Sequence, residues 1–338
     1  MEVSENAVEF VLPDADSRID QVVLAQEVER PRLGPPFERQ NGAWHLSFAR
    51  PPANRLEYLL QVDGSLTQDH DNPLRAPGPF GDKSVVLWPE YVPPAWLGVD
   101  APAGTVEPLE LASVSLRASF PALLYATATP PSAGAPILVV HDGPEYAEYS
   151  LLTRYLDVAS HAGLVPPLWV ALVPPVDRNE TYSASPRYAR ALANELLPAL
   201  AKAVPHGPRL GMGASLGALA MLHAHRLHPE SFDGLFLQSG SFFRQRWDAV
   251  ESGFERYRRI TRFVGTVLRC VGEPRPVPVA ITCGSAEENR VNNRAVASVL
   301  SAQGYQVMLA EIADAHNWVC WRDGFDPNLP DLVRAVAG

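Results

Sequence analysis

The stretch Pro208-Arg209-Leu210-Gly211-Met212-Gly213-Ala214-Ser215-Leu216-Gly217-Ala218-Leu219-Ala220-Met221-Leu222 decides how the rest of the chain is read. Residues 210–212 form a short apolar strand, and residues 216–228 predict a helix that begins with small side chains. Between them, Gly213-x-Ser215-x-Gly217 has the spacing of an elbow that turns a strand sharply into a helix and exposes a serine oxygen. Glycine is needed there because the strained turn leaves no room beside the neighbouring strands. The competing reading is a Gly-rich β–α turn with an ordinary serine, and the flanking strand and helix argue against it.

Working outward, residues from about 110 onward alternate in pattern. Strands at 112–120 and 122–129 precede a buried apolar strand at 137–140. Helices at 149–162, 186–204, 216–228 and 292–303 then alternate with strands at 168–173, 210–212, 234–237, 277–282 and 306–312. Such alternation predicts an α/β fold, with a mostly parallel sheet and helices on both faces. Residues 1–105 read differently. Short strands at 8–12, 21–25, 44–49, 56–62 and 84–87 are separated by turn clusters such as Asp63-Gly64 and Pro77-Gly78-Pro79, which predicts a β-sandwich. A Pro-rich passage from Tyr91 through Pro108 reads as the linker, so the expected division is 1–105 and 106–338.

The 338 residues carry 28 basic and 38 acidic side chains, net −10, which argues against nucleic acid and anionic membrane as partners. Residues 1–105 hold 16 acidic and 8 basic groups, so most of that charge lies in the β-rich part. Three cysteines without a C-x-x-C pair predict neither a disulfide framework nor a zinc ribbon. The N-terminus carries no basic region, and no apolar run approaches the ~20 residues that span a bilayer; the expectation is a cytoplasmic protein.

A nucleophilic serine needs a base. His316, just after the last strand, stands where a base falls in the chain order serine, acid, histidine. His141 ends a core strand and is the other histidine able to approach the site. His223, His225 and His228 have the look of a metal set, but one helix face cannot carry all three. For the acid that orients the imidazole, Glu287 is favoured, with Glu288 its rival. One of the two is then only an acid favoured near a helix N-terminus. The backbone N–H of Leu216 is the first oxyanion donor. Gly143 is the second, because Pro144 has no N–H to give.

With these pieces in place the chain resembles the enterochelin (enterobactin) esterase family, in the esterase-D-like branch of α/β-hydrolases. The resemblance rests on Val139-Val140-His141-Asp142-Gly143, Asp177-Arg178-Asn179-Glu180-Thr181-Tyr182-Ser183, Gly213-Ala214-Ser215-Leu216-Gly217 and Gln238-Ser239-Gly240-Ser241-Phe242. Cys283-Gly284-Ser285-Ala286-Glu287 and His316-Asn317-Trp318-Val319-Cys320-Trp321-Arg322 complete it. In the first part, Glu57-Tyr58, Val62-Asp63-Gly64, Asp71-Asn72-Pro73 and Phe80-Gly81 look like the small all-β, immunoglobulin-like early-set domain that precedes the hydrolase in these esterases. The resemblance implies hydrolysis of carboxylic esters, with catecholate-siderophore trilactones as the name-giving substrates and no metal or organic cofactor. It also leaves open an acyltransferase with a sugar acceptor, or an esterase acting on carbohydrate esters.

Candidate substrate-binding residues are Arg178, Asp142, Trp318 and Arg322. Arg178 follows a strand at its carboxyl end, where α/β sheets collect ligands, and either binds substrate or pairs with Glu180. Residues 244–275 hold eight arginines against Asp248, Glu251, Glu255 and Glu273. An anionic aromatic ester would suit these guanidinium groups with Trp247 and Tyr257, whereas a solvated helix with Glu–Arg pairs is the plainer reading. The partner expected is thus a small-molecule ester.

Overall fold

Alternation of apolar and polar residues organises the first part of the chain, and the computed structural model describes residues 1–272 and 275–337, so Glu273 lies outside the described residues. Two compact units divide it: Met1–Pro94 with Gly284–Glu288 and Glu311–Cys320, and Ala95–Cys283 with Asn289–Ala310 and Trp321–Gly338.

In the first unit the strands are β1 (Glu2–Val3), β2 (Ala7–Pro13), β3 (Val22–Gln26), β4 (Leu33–Pro36), β5 (Glu38–Gln40), β6 (Ala43–Ala49), β7 (Arg55–Val62), β8 (Ser65–Thr67), β9 (Arg75–Ala76) and β10 (Lys83–Leu87). They form the sheets β1-β2-β6-β5 and β4-β3-β7-β10-β9, with β8 on β7. Trp44, Leu46 and Phe48 alternate inward along β6 and meet Leu56, Tyr58 and Leu60 of β7 in one cluster. The expected strands fall on β2, β3, β6, β7 and β10. β7 departs from ordinary alternation: Arg55 and Glu57, on the opposite face from Leu56, Tyr58 and Leu60, are buried as well.

The remaining strands are β11 (Thr105–Ser113), β12 (Ala118–Ala126), β13 (Ile137–His141), β14 (Trp169–Val173), β15 (Arg209–Ala214), β16 (Gly234–Gln238), β17 (Pro278–Gly284) and β18 (Gln306–Ile312). They make one sheet in the order β11-β12-β14-β13-β15-β16-β17-β18. From β14 through β17 the pairings are parallel, while β11 and β12 add an antiparallel hairpin at the edge. Every residue of β13 and β16 is buried, as expected of strands covered on both faces.

The hairpin corrects the sequence reading. Strands were expected at 112–120 and 122–129 after a linker reaching Pro108. Instead Pro108 sits inside β11, opposite Leu123. The sheet tolerates it because β11 is an edge strand, where a missing N–H costs no ladder bond on the open side. The turn then falls at 114–117, closed by Arg117 at φ 53° rather than by a glycine.

The helices are α1 (Gly143–Tyr149), α2 (Leu152–His161), α3 (Arg178–Tyr182), α4 (Pro186–Ala191), α5 (Leu197–Ala203), α6 (Leu216–Leu227), α7 (Tyr257–Leu268), α8 (Arg290–Ala302), α9 (Trp318–Asp323) and α10 (Asn328–Ala337). The helix expected over 149–162 is broken, because Leu151 adopts left-handed geometry between α1 and α2. A π-helical segment, Leu192–Leu196, joins α4 to α5. α6 lies against β15 and β16, and α10 against β16. Among the described residues no helix is long and apolar enough to cross a membrane.

Candidate active site

The end of β15 delivers Ser215 in a conformation few residues adopt, φ 55° and ψ −119°. Ser215 N–H donates to Gln238 O at 2.9 Å, and Ser241 N–H donates to Ser215 O at 3.1 Å, so strand β16 and the loop after it hold the turn. The glycines fit this geometry. A Cβ on Gly213 would lie 2.6 Å from the Gly217 carbonyl carbon, and one on Gly217 would lie 3.2 Å from the His141 Cβ. Leu216 follows as the first residue of α6, and its N–H is among those a helix leaves without an intrahelical acceptor. The Ser215 hydroxyl has Ser241 Oγ at 3.1 Å. Ser241, in Gln238-Ser239-Gly240-Ser241-Phe242, has no part assigned from the sequence; its signal is its place after β16, the strand beside the elbow.

Asp142 and Gly143 stand where β13 passes into α1. Asp142 is left-handed (φ 53°, ψ 38°) and caps α1, and Gly143 is packed so tightly that a Cβ would collide with the backbone of Leu172. The Asp142 carboxylate is buried and held from both sides of the Arg178 fork, Nε to Oδ1 at 2.9 Å and Nη2 to Oδ2 at 2.9 Å. Burial works against charge on Arg178, but Asp142 outweighs it, and the guanidinium pKa rises. Arg178 therefore does not hold Glu180, as the sequence allowed. Glu180 accepts instead from Arg256 and Arg259 of the arginine-rich stretch, the latter at 2.7 Å.

His141 is not placed as a base. Its Nδ1 donates to Gly217 O at 3.1 Å, which leaves Nε2 to accept from Tyr188 OH at 2.7 Å, and the ring stacks on Tyr182. Burial pulls its pKa down to about 4. Both nitrogens are occupied, so the residue braces the elbow. On α6, His223 packs edge-on to Phe263 and His225 bonds Arg275 O at 2.9 Å. Among the described residues no three His, Cys, Asp or Glu side chains are grouped to hold a metal.

Within the first unit, His316 lies between β18 and α9 with Nδ1 2.9 Å from Glu287 Oε2. Glu287 is buried, and its Oε1 accepts from Gly284 N–H at 2.9 Å. Burial opposes charging of His316, but the Glu287 charge and hydrogen bond prevail and raise its pKa. Glu288 points elsewhere: it accepts from Arg30 Nε at 2.7 Å and from Arg32 Nη2 at 2.9 Å, and despite partial burial those two cations lower its pKa. Trp318 opens α9 and is half-buried. Arg322, on the same helix, donates through Nε to Asp323 at 2.7 Å. Of the expected site residues, Ser215, Leu216, Asp142, Gly143, Arg178 and Arg322 belong to the second unit, and Glu287, Glu288, His316 and Trp318 to the first.

The sheet order, the elbow and a β-rich N-terminal part define an α/β-hydrolase. A sequence model of the Esterase family matches residues 117–332. The chain belongs to that family. It is 27% identical over 198 residues to the iron(III) enterobactin esterase of Dickeya dadantii, covering 56% of this chain and 46% of that protein, just under half of its length. With the iron(III) enterobactin esterase of Escherichia coli O6:H1 it shares 24% identity over 302 residues, 86% of this chain and 74% of that one. The crystal structure of the enterobactin esterase FES from Shigella flexneri in the presence of enterobactin superposes with a TM-score of 0.79 at 19% identity, covering 99% of this chain and 95% of that one. The kinship with enterochelin esterases expected from the motifs is borne out.

Proposed function

We propose that the protein is a serine esterase in which residues 106–338 carry the reaction and residues 1–105 are accessory to it. Ser215 Oγ attacks the ester carbonyl while His316 Nε2 takes its proton, and Glu287 holds Nδ1–H and stabilises the imidazolium. The N–H groups of Leu216 and Gly143 stabilise the oxyanion. His316 then returns the proton to the departing alkoxide, and water, activated by the same imidazole, releases the acid from Ser215. The observation that carries this reading is the hydrogen bond between His316 Nδ1 and buried Glu287, which gives the imidazole the tautomer a general base needs.

Similarity to the enterobactin esterases supports a substrate class of enterobactin-like trilactone esters of catecholate siderophores, with iron as cargo of the substrate. Replacing Ser215 by alanine is expected to remove aryl acetate hydrolysis and fluorophosphonate labelling together; full activity in that variant would refute the assignment. Turnover of a ferric catecholate trilactone beside neutral aryl and sugar esters tests the substrate class. Product analysis with an added sugar shows whether water is the acceptor.

A further inference from the structure

The turns that carry Glu287 and His316 belong to the same compact unit as residues 1–94, and the contacts within that unit are directed at them. Arg55 of β7, 3% exposed at its side chain, donates through Nη1 to Asp314 Oδ2 at 2.8 Å and to Asn317 Oδ1 at 3.1 Å. These two residues bracket His316. They also bond each other, Asn317 Nδ2 to Asp314 Oδ1 at 2.9 Å, and the same Oδ1 accepts from Ala315 N–H at 2.7 Å. The other arm of Arg55 donates to Glu57 at 3.0 Å, so the guanidinium is fixed from both sides. Asn54 N–H donates to Ala313 O at 2.7 Å, Ser285 Oγ donates to Pro52 O, and Ala53 packs on Ala286 and Ala315. Next to Glu287, Glu288 is gripped by Arg30 and Arg32.

A buried arginine with two carboxylates is an expensive arrangement for stability alone, since an apolar group of like volume often does as well. What it supplies is geometry. Resting on the Ser215–His316–Glu287 reading, we propose that residues 1–94 are a positioning scaffold for the base: Arg55, through Asp314 and Asn317, fixes the turn bearing His316, while Arg30 and Arg32, through Glu288, fix the turn bearing Glu287. All of these are positioning residues; none is assigned contact with substrate.

The test uses the full chain. Asp314→Asn keeps the shape of the turn but weakens its tie to Arg55, and Arg30→Gln/Arg32→Gln alters only part-exposed side chains, which guards against a variant that fails to fold. With a neutral aryl acetate, Asp314→Asn is expected to lower kcat about 10- to 100-fold and the double variant about 3- to 10-fold, with KM changed less than twofold. The charged groups that act on His316 include Glu287 and Glu27, which raise its pKa, and Arg32, which lowers it. A loosened Glu287 contact should therefore move the acid limb of the pH profile to lower pH in Asp314→Asn, a change that mere loss of folded protein would not produce. Unchanged kcat and acid limb in both folded variants would overturn the proposal, as would a fall in kcat matched by an equal fall in fluorophosphonate-titratable sites. Ser215→Ala runs alongside: if it stays active the catalytic reading itself has failed, whereas an inactive Ser215→Ala beside unaffected scaffold variants sinks only the scaffold.

Discussion

Glu287 Oε2 lies 2.9 Å from His316 Nδ1, and the carboxylate is buried. A base must be neutral to accept a proton, so with His316 as the proposed base its raised pKa is expected to place the acid limb of kcat/KM above the ordinary imidazole value of about 6.5. Glu287→Gln removes the charge that raises it. The limb is expected to move to lower pH and the plateau to fall about 100-fold or more, measured as a pH profile of aryl acetate hydrolysis. The pair also contributes to stability, fully below about pH 6.5, and that contribution is lost as pH rises through the folded value.

Strain at Ser215 makes a separable prediction. At φ 55° and ψ −119° only glycine rests comfortably, so Ser215→Gly should be more stable than Ser215→Ala by about 1–2 kcal/mol. Both variants lose the hydroxyl contact with Ser241, so the comparison isolates the backbone. Urea unfolding midpoints decide it; equal midpoints would show that the elbow is not strained.

Arg178 and Asp142 are coupled. With Asp142 95% buried at its side chain and Arg178 37% exposed, removing the arginine leaves a buried carboxylate facing partial solvent. Arg178→Ala is expected to cost about 1–3 kcal/mol and to slow catalysis through the displaced Gly143. Arg178→Lys should recover only part of either, because lysine cannot reproduce the fork. A double-mutant cycle with Asp142→Asn should give strongly non-additive energies.

Acid sensitivity follows from histidines kept neutral inside the second unit. Burial holds His141 and His223 near a pKa of about 4, whereas the unfolded chain takes up their protons near 6.5. Stability contributed by each is present above pH 6.5 and drains away as pH falls to about 4, up to about 3 kcal/mol per residue. His223→Gln should lose less stability between pH 7 and pH 4.5 than the parent, read from urea unfolding at both values.

Much of this is legible in the sequence. Strand β18 falls on the expected residues 306–312, and the periodicity of β2, β6 and β7 placed each of them within a residue or two. The elbow was legible because its glycines answer to local sterics. Local signals fail where context overrides them: Pro108 reads as linker because nothing local says that β11 is an edge, and Leu151 breaks a helix without any Gly or Pro. The stretch containing α7 reads plainly as a solvated helix with Glu–Arg pairs, but Tyr257, Ile260, Val264 and Val267 form a buried stripe along it. Pairings were hardest. Arg178 reaches back 36 residues to Asp142 rather than two forward to Glu180, and Glu180 is taken by arginines 76 and 79 residues away.

By itself, the sequence determined the order of strands and helices, the strand–turn–helix that exposes Ser215, and the three-residue chemistry expected around it. Those depend on side-chain period, glycine sterics and chain order, which are local properties. Tertiary structure alone decided which of two adjacent carboxylates faces His316, that His141 is a brace with both nitrogens filled, and that Arg55 is tied to Asp314 across 259 residues. A hydrogen bond needs its partners within about 3 Å and in line. Between residues so far apart in the chain, only the packed fold sets that distance.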